Sequence, residues 1–274
     1  MTVKTQFLKK IKFLNSPRFS LMTLPQICVY VFIVFNILGM YFYRGGTYFN
    51  VNNPGYSFTK NFFSDLGRFV SFSGDANWIS FFLFNSCVIF SGIVFVLFYL
   101  NFYKLFMKDK LNRNLAMAGT CFGILGSLCL VGVGLTPADL IFDPHDSFAT
   151  WTFRLFFPCT LLYSIALFRS PHLKNSMAFG YLAWSLFVIS YVLVSELGPP
   201  STESNTALVF QVVSQKIIVF AYIINIFYQT YHIKLLYKNM ILKLNQTPSN
   251  LSKKFLNQLS KYSIQMSTRP SRTN

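Results

Sequence analysis

A chain of 274 residues in which 53% are hydrophobic and 12% charged, with a mean hydropathy of +0.44, is too apolar for a soluble domain of its size. Its 24 Lys and Arg outweigh 8 Asp and Glu, for a net charge of +16. A basic nucleic-acid binder would carry that excess on a polar surface; here it alternates with long apolar runs, which excludes nucleic acid as the partner.

Six apolar stretches of about 20 residues, each able to cross roughly 30 Å of hydrocarbon as a helix, organise the chain. They cover 24–43, 77–103, 115–136, 150–168, 177–197 and 207–231. The expected fold class is all-α: a polytopic membrane protein with six transmembrane helices and both termini cytoplasmic. It divides into a basic amphipathic N-terminal segment (1–23), a six-helix transmembrane domain (24–231) and a basic cytoplasmic tail (232–274).

In the first segment Phe7, Ile11 and Leu14 share a helical face beside Lys4, Lys9, Lys10 and Lys12, a pattern suited to an anionic lipid surface. No small-residue cleavage pattern follows the first apolar run before Arg44, so that run reads as a retained anchor. The long connection 41–76 has Phe62, Phe63, Leu66, Phe69 and Val70 at helical spacing, which predicts a short interfacial or re-entrant helix. Within it Ser64-Asp65-Leu66-Gly67 reads as a turn or a helix cap.

The third span is rich in small residues, among them Gly119, Gly123, Gly126, Gly132 and Gly134. Such residues let backbones approach closely, so this helix is expected at the centre of the bundle. A turn from Gly134 to Arg154 follows, holding Asp139, Asp143, Asp146 and His145. These side chains suit an acid–base pair, and Asp139, Asp143 and His145 suit a divalent metal as cofactor. Asp143 and Asp146 equally suit the N-terminus of the fourth helix. Arg154 lies about one turn inside that helix, where it needs an acid such as Asp139, Asp143 or Asp65, or an outward path to lipid phosphate. Pro158 should kink the same helix.

The last span carries Gln211, Gln215, Tyr222, Asn225 and Gln229 on one face, which should look into protein or a wet cavity. Lys216 is off that stripe. It can neutralise Glu196 or another outer acid, snorkel, or lie buried. In the tail, Leu251, Phe255, Leu259 and Tyr262 against Lys253, Lys254 and Lys261 repeat the amphipathic pattern of the start. Two sequons, at Asn245 and Asn250, also fall there.

Nineteen of the 24 basic residues fall in the N-terminal segment, the loops near Lys108 and Lys174, and the tail, which the positive-inside rule assigns to the cytoplasm. Anionic lipids at that face are the expected partner. Seven of the eight acids fall on the opposite face. Cys28, Cys87, Cys121, Cys129 and Cys159 all sit inside spans, as small core residues without a CxxC pair. A multi-pass protein of this kind fits a prokaryotic plasma membrane or an internal eukaryotic membrane equally well.

Ser64-Asp65-Leu66-Gly67 after the first span, followed by a Gly-x-x-Pro-x-Asp turn from Gly134 to Asp139 and then His145, resembles a class of six-helix membrane proteins of bacteria and archaea known as domains of unknown function. That class has distant similarity to DRAM and Sfk-type proteins. The resemblance runs from Leu24 to Tyr231 and implies an integral membrane protein; it implies no chemistry. Three functions remain open. The first is an outer polar cluster that binds lipid headgroups or a cation, with Arg154, Asp139, Glu196 and Lys216 as ligand-binding residues. The second is a lipid hydrolase or transferase with Ser64 as nucleophile, His145 as base and Asp65 as orienting acid. The third is a small-solute carrier, against which the lack of duplicated three-helix halves counts.

Overall fold

The computed structural model describes residues 18–171 and 173–245, with side chains to residue 239. The amphipathic face of Phe7, Ile11 and Leu14, His172, the repeated tail pattern and the Asn250 sequon lie outside the described residues. By its contacts the chain divides into units 1–231 and 232–274.

Six helices are long and apolar enough to cross a membrane. In chain order they are α1 (Leu24–Phe42), α2 (Trp78–Phe102), α3 (Lys110–Leu135), α4 (Phe142–Phe168), α5 (Asn175–Leu197) and α6 (Asn205–Asn245). Together with two 3-10 turns and a π turn they make an all-α, multi-pass protein; among the described residues there is no strand, only the isolated bridges Thr47–Asn50 and Val70–Ala76.

The local chemistry explains the helix ends. Pro25 has no N–H to give residue 21, and just before it the chain takes a π turn, Phe19–Thr23, in which the Leu24 N–H reaches the Phe19 carbonyl. Asp109 caps α3 by accepting the Asn112 N–H at 2.8 Å. The fourth helix begins eight residues earlier than the hydrophobic pattern predicts. Asp143, Pro144 and His145 therefore belong to its first turns and not to a loop, and Arg154 sits about three turns inside instead of one. Sequence reading stops at the first charged residue, whereas the first turn of a helix accepts an acid, through its dipole, and a proline, because its N–H groups have no helical partner.

Helix α3 packs closely on α2 and α4 through its small residues. A Cβ on Gly92 of α2 would stand 2.6 Å from the Ser127 carbonyl oxygen and 3.0 Å from the Val131 nitrogen, so the two helices touch backbone to backbone. Gly123 faces the Tyr99 ring and Gly119 the Tyr163 ring, and the Gly119–Gly123 pair thus packs inside the bundle. Tyr163 stands fully buried among Tyr99, Phe102, Phe106 and Tyr181, and its hydroxyl meets that of Thr120 at 2.6 Å.

Candidate functional site

The connection between α1 and α2 does not lie flat. Its only helical element is a five-residue 3-10 turn, Phe63–Gly67, shorter than the helix the apolar spacing predicts. The turn is buried: Leu66 has no exposed surface and packs on Gly39 of α1. Gly67 is pressed against Phe84 and Asn85 of α2, where a Cβ would come within 2.5 Å of the Phe84 ring. This close approach is the physical reason for glycine at the end of Ser-Asp-Leu-Gly. Asn85 is seven residues into α2 and Lys216 eleven into α6, so the turn reaches about 10–16 Å below the helix ends that flank it. It is a re-entrant segment.

Irregular backbone at such a depth has no water to satisfy it, and each open N–H or carbonyl would cost about 1–3 kcal/mol. Side chains from the surrounding helices fill the requirement. The Phe63 N–H donates to Gln215 Oε1 at 2.8 Å, and Lys216 Nζ donates to the Asn61 carbonyl at 2.9 Å, both across the bundle from α6. From α2, Ser80 Oγ donates to the Leu66 carbonyl at 2.9 Å and Asn85 Nδ2 to the Gly67 carbonyl at 3.0 Å. Asn77 Nδ2, just before α2, reaches the carbonyls of Leu66 and Arg68. From the α3–α4 turn, Asp139 accepts the N–H groups of Phe69 and Val70, one on each carboxylate oxygen, at 2.9 and 2.8 Å.

Lys216 is the keystone of this arrangement. It is 3% exposed, and besides the Asn61 carbonyl it donates to the Tyr56 hydroxyl at 2.6 Å. Its ammonium lies 3.8 Å from the centre of the Phe63 ring, with the Tyr56 and Phe58 rings at 5.2 and 5.4 Å. Two hydrogen bonds and an aromatic face thus replace its lost hydration. Neither snorkelling nor pairing with Glu196 describes it.

Asp65 turns its carboxylate back on its own segment. Oδ2 accepts the Phe62 N–H at 2.8 Å and the Asn61 side-chain amide at 3.3 Å. Burial pushes this carboxyl up to about 6, against the opposing pull of Arg68, Asn61, the Phe62 N–H and Lys216. Burial likewise raises Tyr56 well above the ordinary phenol range, so its hydroxyl keeps its proton beside Lys216.

His145 is buried, and its Nδ1 lies 2.5 Å from the carbonyl of Thr136 at the end of α3. A carbonyl can only accept, so Nδ1 carries the proton and the imidazole fastens the first turn of α4 to the last of α3. Asp143 and Asp146 are exposed beside it. Arg154 finds its acid, but on a different element from those the sequence suggests: its Nε donates to Glu196 Oε1 of α5 at 2.7 Å, and its guanidinium lies 5.3 Å from the Trp151 ring. Both partners stay over a third exposed.

The two sequence constellations therefore meet, through Asp139 and the Phe69 and Val70 amides. They do not meet as a catalytic relay. Ser64 is half-buried and makes no hydrogen bond to His145, while Asp139 spends both oxygens on backbone N–H groups and Asp65 turns Oδ2 to the Phe62 N–H and the Asn61 side chain. Among the described residues no three His, Cys, Asp or Glu side chains are grouped to hold a metal ion.

Several members of this network escape the sequence reading. Tyr56 sits in the connection and looks like an ordinary turn residue, and Asn77 looks like the first residue of the second apolar span. The usable signal was on α2, where Ser80 and Asn85 interrupt an apolar span.

No curated protein and no solved structure matches the chain. One family does match, over residues 23–224, and its description is "protein of unknown function (DUF998)". The matched range includes the whole re-entrant segment, Asp139, Arg154, Glu196, Gln215 and Lys216. Covering well over half of the chain, it makes this six-helix membrane protein a member of the DUF998 family.

Proposed function

We propose that the protein recognises phospholipid headgroups at its exoplasmic face, without chemistry of its own, through Arg154 and Glu196. The observation that carries this reading is the Arg154–Glu196 pair, which remains 38% and 39% exposed on the side of the bundle. An isolated arginine in a transmembrane helix costs roughly 2.5–3.5 kcal/mol at the bilayer centre, and one that stays open at the surface is poised for a partner there. Arg154 offers N–H donors beyond the one Glu196 takes, a match for phosphate; Glu196 matches a headgroup amine. Trp151, half-exposed beside the guanidinium, has the amphipathic ring found where apolar chains meet headgroups. Asp139 and Lys216 support this face from below by holding the re-entrant segment. At the opposite, cytoplasmic face, basic segments meet anionic lipid.

The test is lipid retention. Purified in mild detergent and exchanged into nanodiscs of mixed phosphatidylethanolamine and phosphatidylglycerol, the wild-type protein should retain co-purifying phospholipid in native mass spectra. Arg154→Gln should lose most of it while remaining folded. Equal retention by wild type and variant would overturn the reading.

A further inference from the structure

A second polar feature lies apart from the re-entrant segment, nearer the opposite end of the bundle. A cavity of about 30 Å³ is bounded by Tyr99, Thr160, Trp184, Tyr222, Asn225 and Gln229, among others. This exceeds the roughly 10–15 Å³ that admits one water molecule. Two of its walls carry buried polar atoms without a partner, the Tyr222 hydroxyl and Gln229 Oε1.

Neither group is free to turn away. The Tyr222 ring is held between Phe95 and Trp184, with centroids at 5.4 and 5.5 Å. Gln229 Nε2 donates to the Met177 carbonyl at 3.2 Å and to Asn225 Oδ1 at 3.3 Å. The Met177 carbonyl can only accept, so the nitrogen of the Gln229 amide must face it and the oxygen must face elsewhere. The cavity therefore presents a hydroxyl proton that needs an acceptor and an amide oxygen that needs a donor.

This pair of requirements selects the occupant. An apolar guest would leave both groups unpaired. A bare cation would suit Gln229 Oε1 but could not accept from Tyr222, and no carboxylate lines the cavity to balance its charge. A small neutral molecule that donates and accepts meets both. We infer that the cavity is a binding site for ordered water, which donates to Gln229 Oε1 and accepts from the Tyr222 hydroxyl, two groups set about two turns apart along α6. Two of the five side chains of the polar stripe on α6, Tyr222 and Gln229, thereby meet solvent, while Asn225 accepts from Gln229 and Gln211 and Gln215 bond to other elements of the protein.

The experiment has two arms. A structure of the protein in nanodiscs at about 2 Å resolution should show solvent density within hydrogen-bond distance of both atoms, and the Tyr222→Phe variant should lose it. In thermal unfolding, the shift caused by Gln229→Met should be clearly smaller in the Tyr222→Phe background than in wild type, because both substitutions release the same water. Exchange of sodium for potassium or choline at constant ionic strength should leave Tm unchanged. An empty cavity in wild type, additive shifts, or a Tm that follows the cation would each overturn the proposal, the last in favour of an ion site.

Discussion

Lys216 on the last helix donates to the carbonyl of Asn61, 155 positions earlier in the chain, at 2.9 Å. The bond closes the bundle around the re-entrant segment and ties a charged side chain to a backbone carbonyl that also accepts from the Tyr56 hydroxyl at 3.0 Å. Replacement by methionine keeps the length and the apolar stem of the side chain but removes both of its donors. Lys216→Met should lower stability by about 1.5–3 kcal/mol, the worth of buried hydrogen bonds from a charged donor, while the Tyr56 hydroxyl still reaches the Asn61 carbonyl. The loosened segment should also become cleavable by trypsin at Lys60 and Arg68. A variant with wild-type Tm and wild-type resistance would show that the segment is held without Lys216.

Asp65 gives the fold a specific pH dependence. Its carboxyl titrates near 6 in the folded protein because burial opposes its charge, and near 4 once unfolded. Between these values the folded state holds a proton that the unfolded state has released, so stability falls as pH rises from about 4 to about 6 and levels off above. A two-unit difference corresponds to roughly 2–3 kcal/mol. Asp65→Asn keeps an acceptor for the Phe62 N–H and cannot ionise. The difference in Tm between variant and wild type should therefore shift in favour of the variant across that window; a constant difference from pH 4 to 7 would contradict the assignment.

Packing of α2 on α3 depends on the missing side chain at Gly92. A Cβ there meets the Ser127 carbonyl oxygen and the Val131 nitrogen, which are backbone atoms of a regular helix and cannot step aside. Gly92→Ala should cost about 1–3 kcal/mol through overpacking, whereas Gly74→Ala, where no atom lies within 4 Å, should cost only the strain of its positive φ. Thermal unfolding of the two variants measures the difference.

Sidedness follows from the charge distribution. With six spans, a cysteine introduced at Ser73 in a cysteine-free background should react with an impermeant maleimide applied from outside, and one introduced at Lys238 only after the membrane is opened. Labelling in the reverse order would invert the topology.

The six helices and the close packing of α3 were legible because hydrophobic length and small-residue content act along one helix at a time. The burial of Asp65 and Lys216 was not, because each is explained by elements far off in sequence. A lysine nine residues into an expected span reads as an anomaly until Asn61 and Tyr56 are brought beside it. Ser-Asp-Leu-Gly attracted a catalytic reading through residue type alone, yet its aspartate faces its own backbone and its glycine faces α2. For Arg154 the sequence supplied the need for an acid and the wrong acid, since Glu196 lies 42 positions away on the neighbouring antiparallel helix.

The distance in sequence between Asn61 and Lys216 also sets a schedule for biogenesis. A ribosome adding about 5–20 residues per second needs roughly 8–30 seconds to make the intervening 155 residues. For most of that interval α1 and α2 are already made while the segment between them lacks the amide and ammonium groups that complete it. The nascent protein must wait with this segment at the surface, or with a chaperone, until the sixth helix is inserted. A chain truncated before Gln215 would lack both of the α6 groups that bond to this segment.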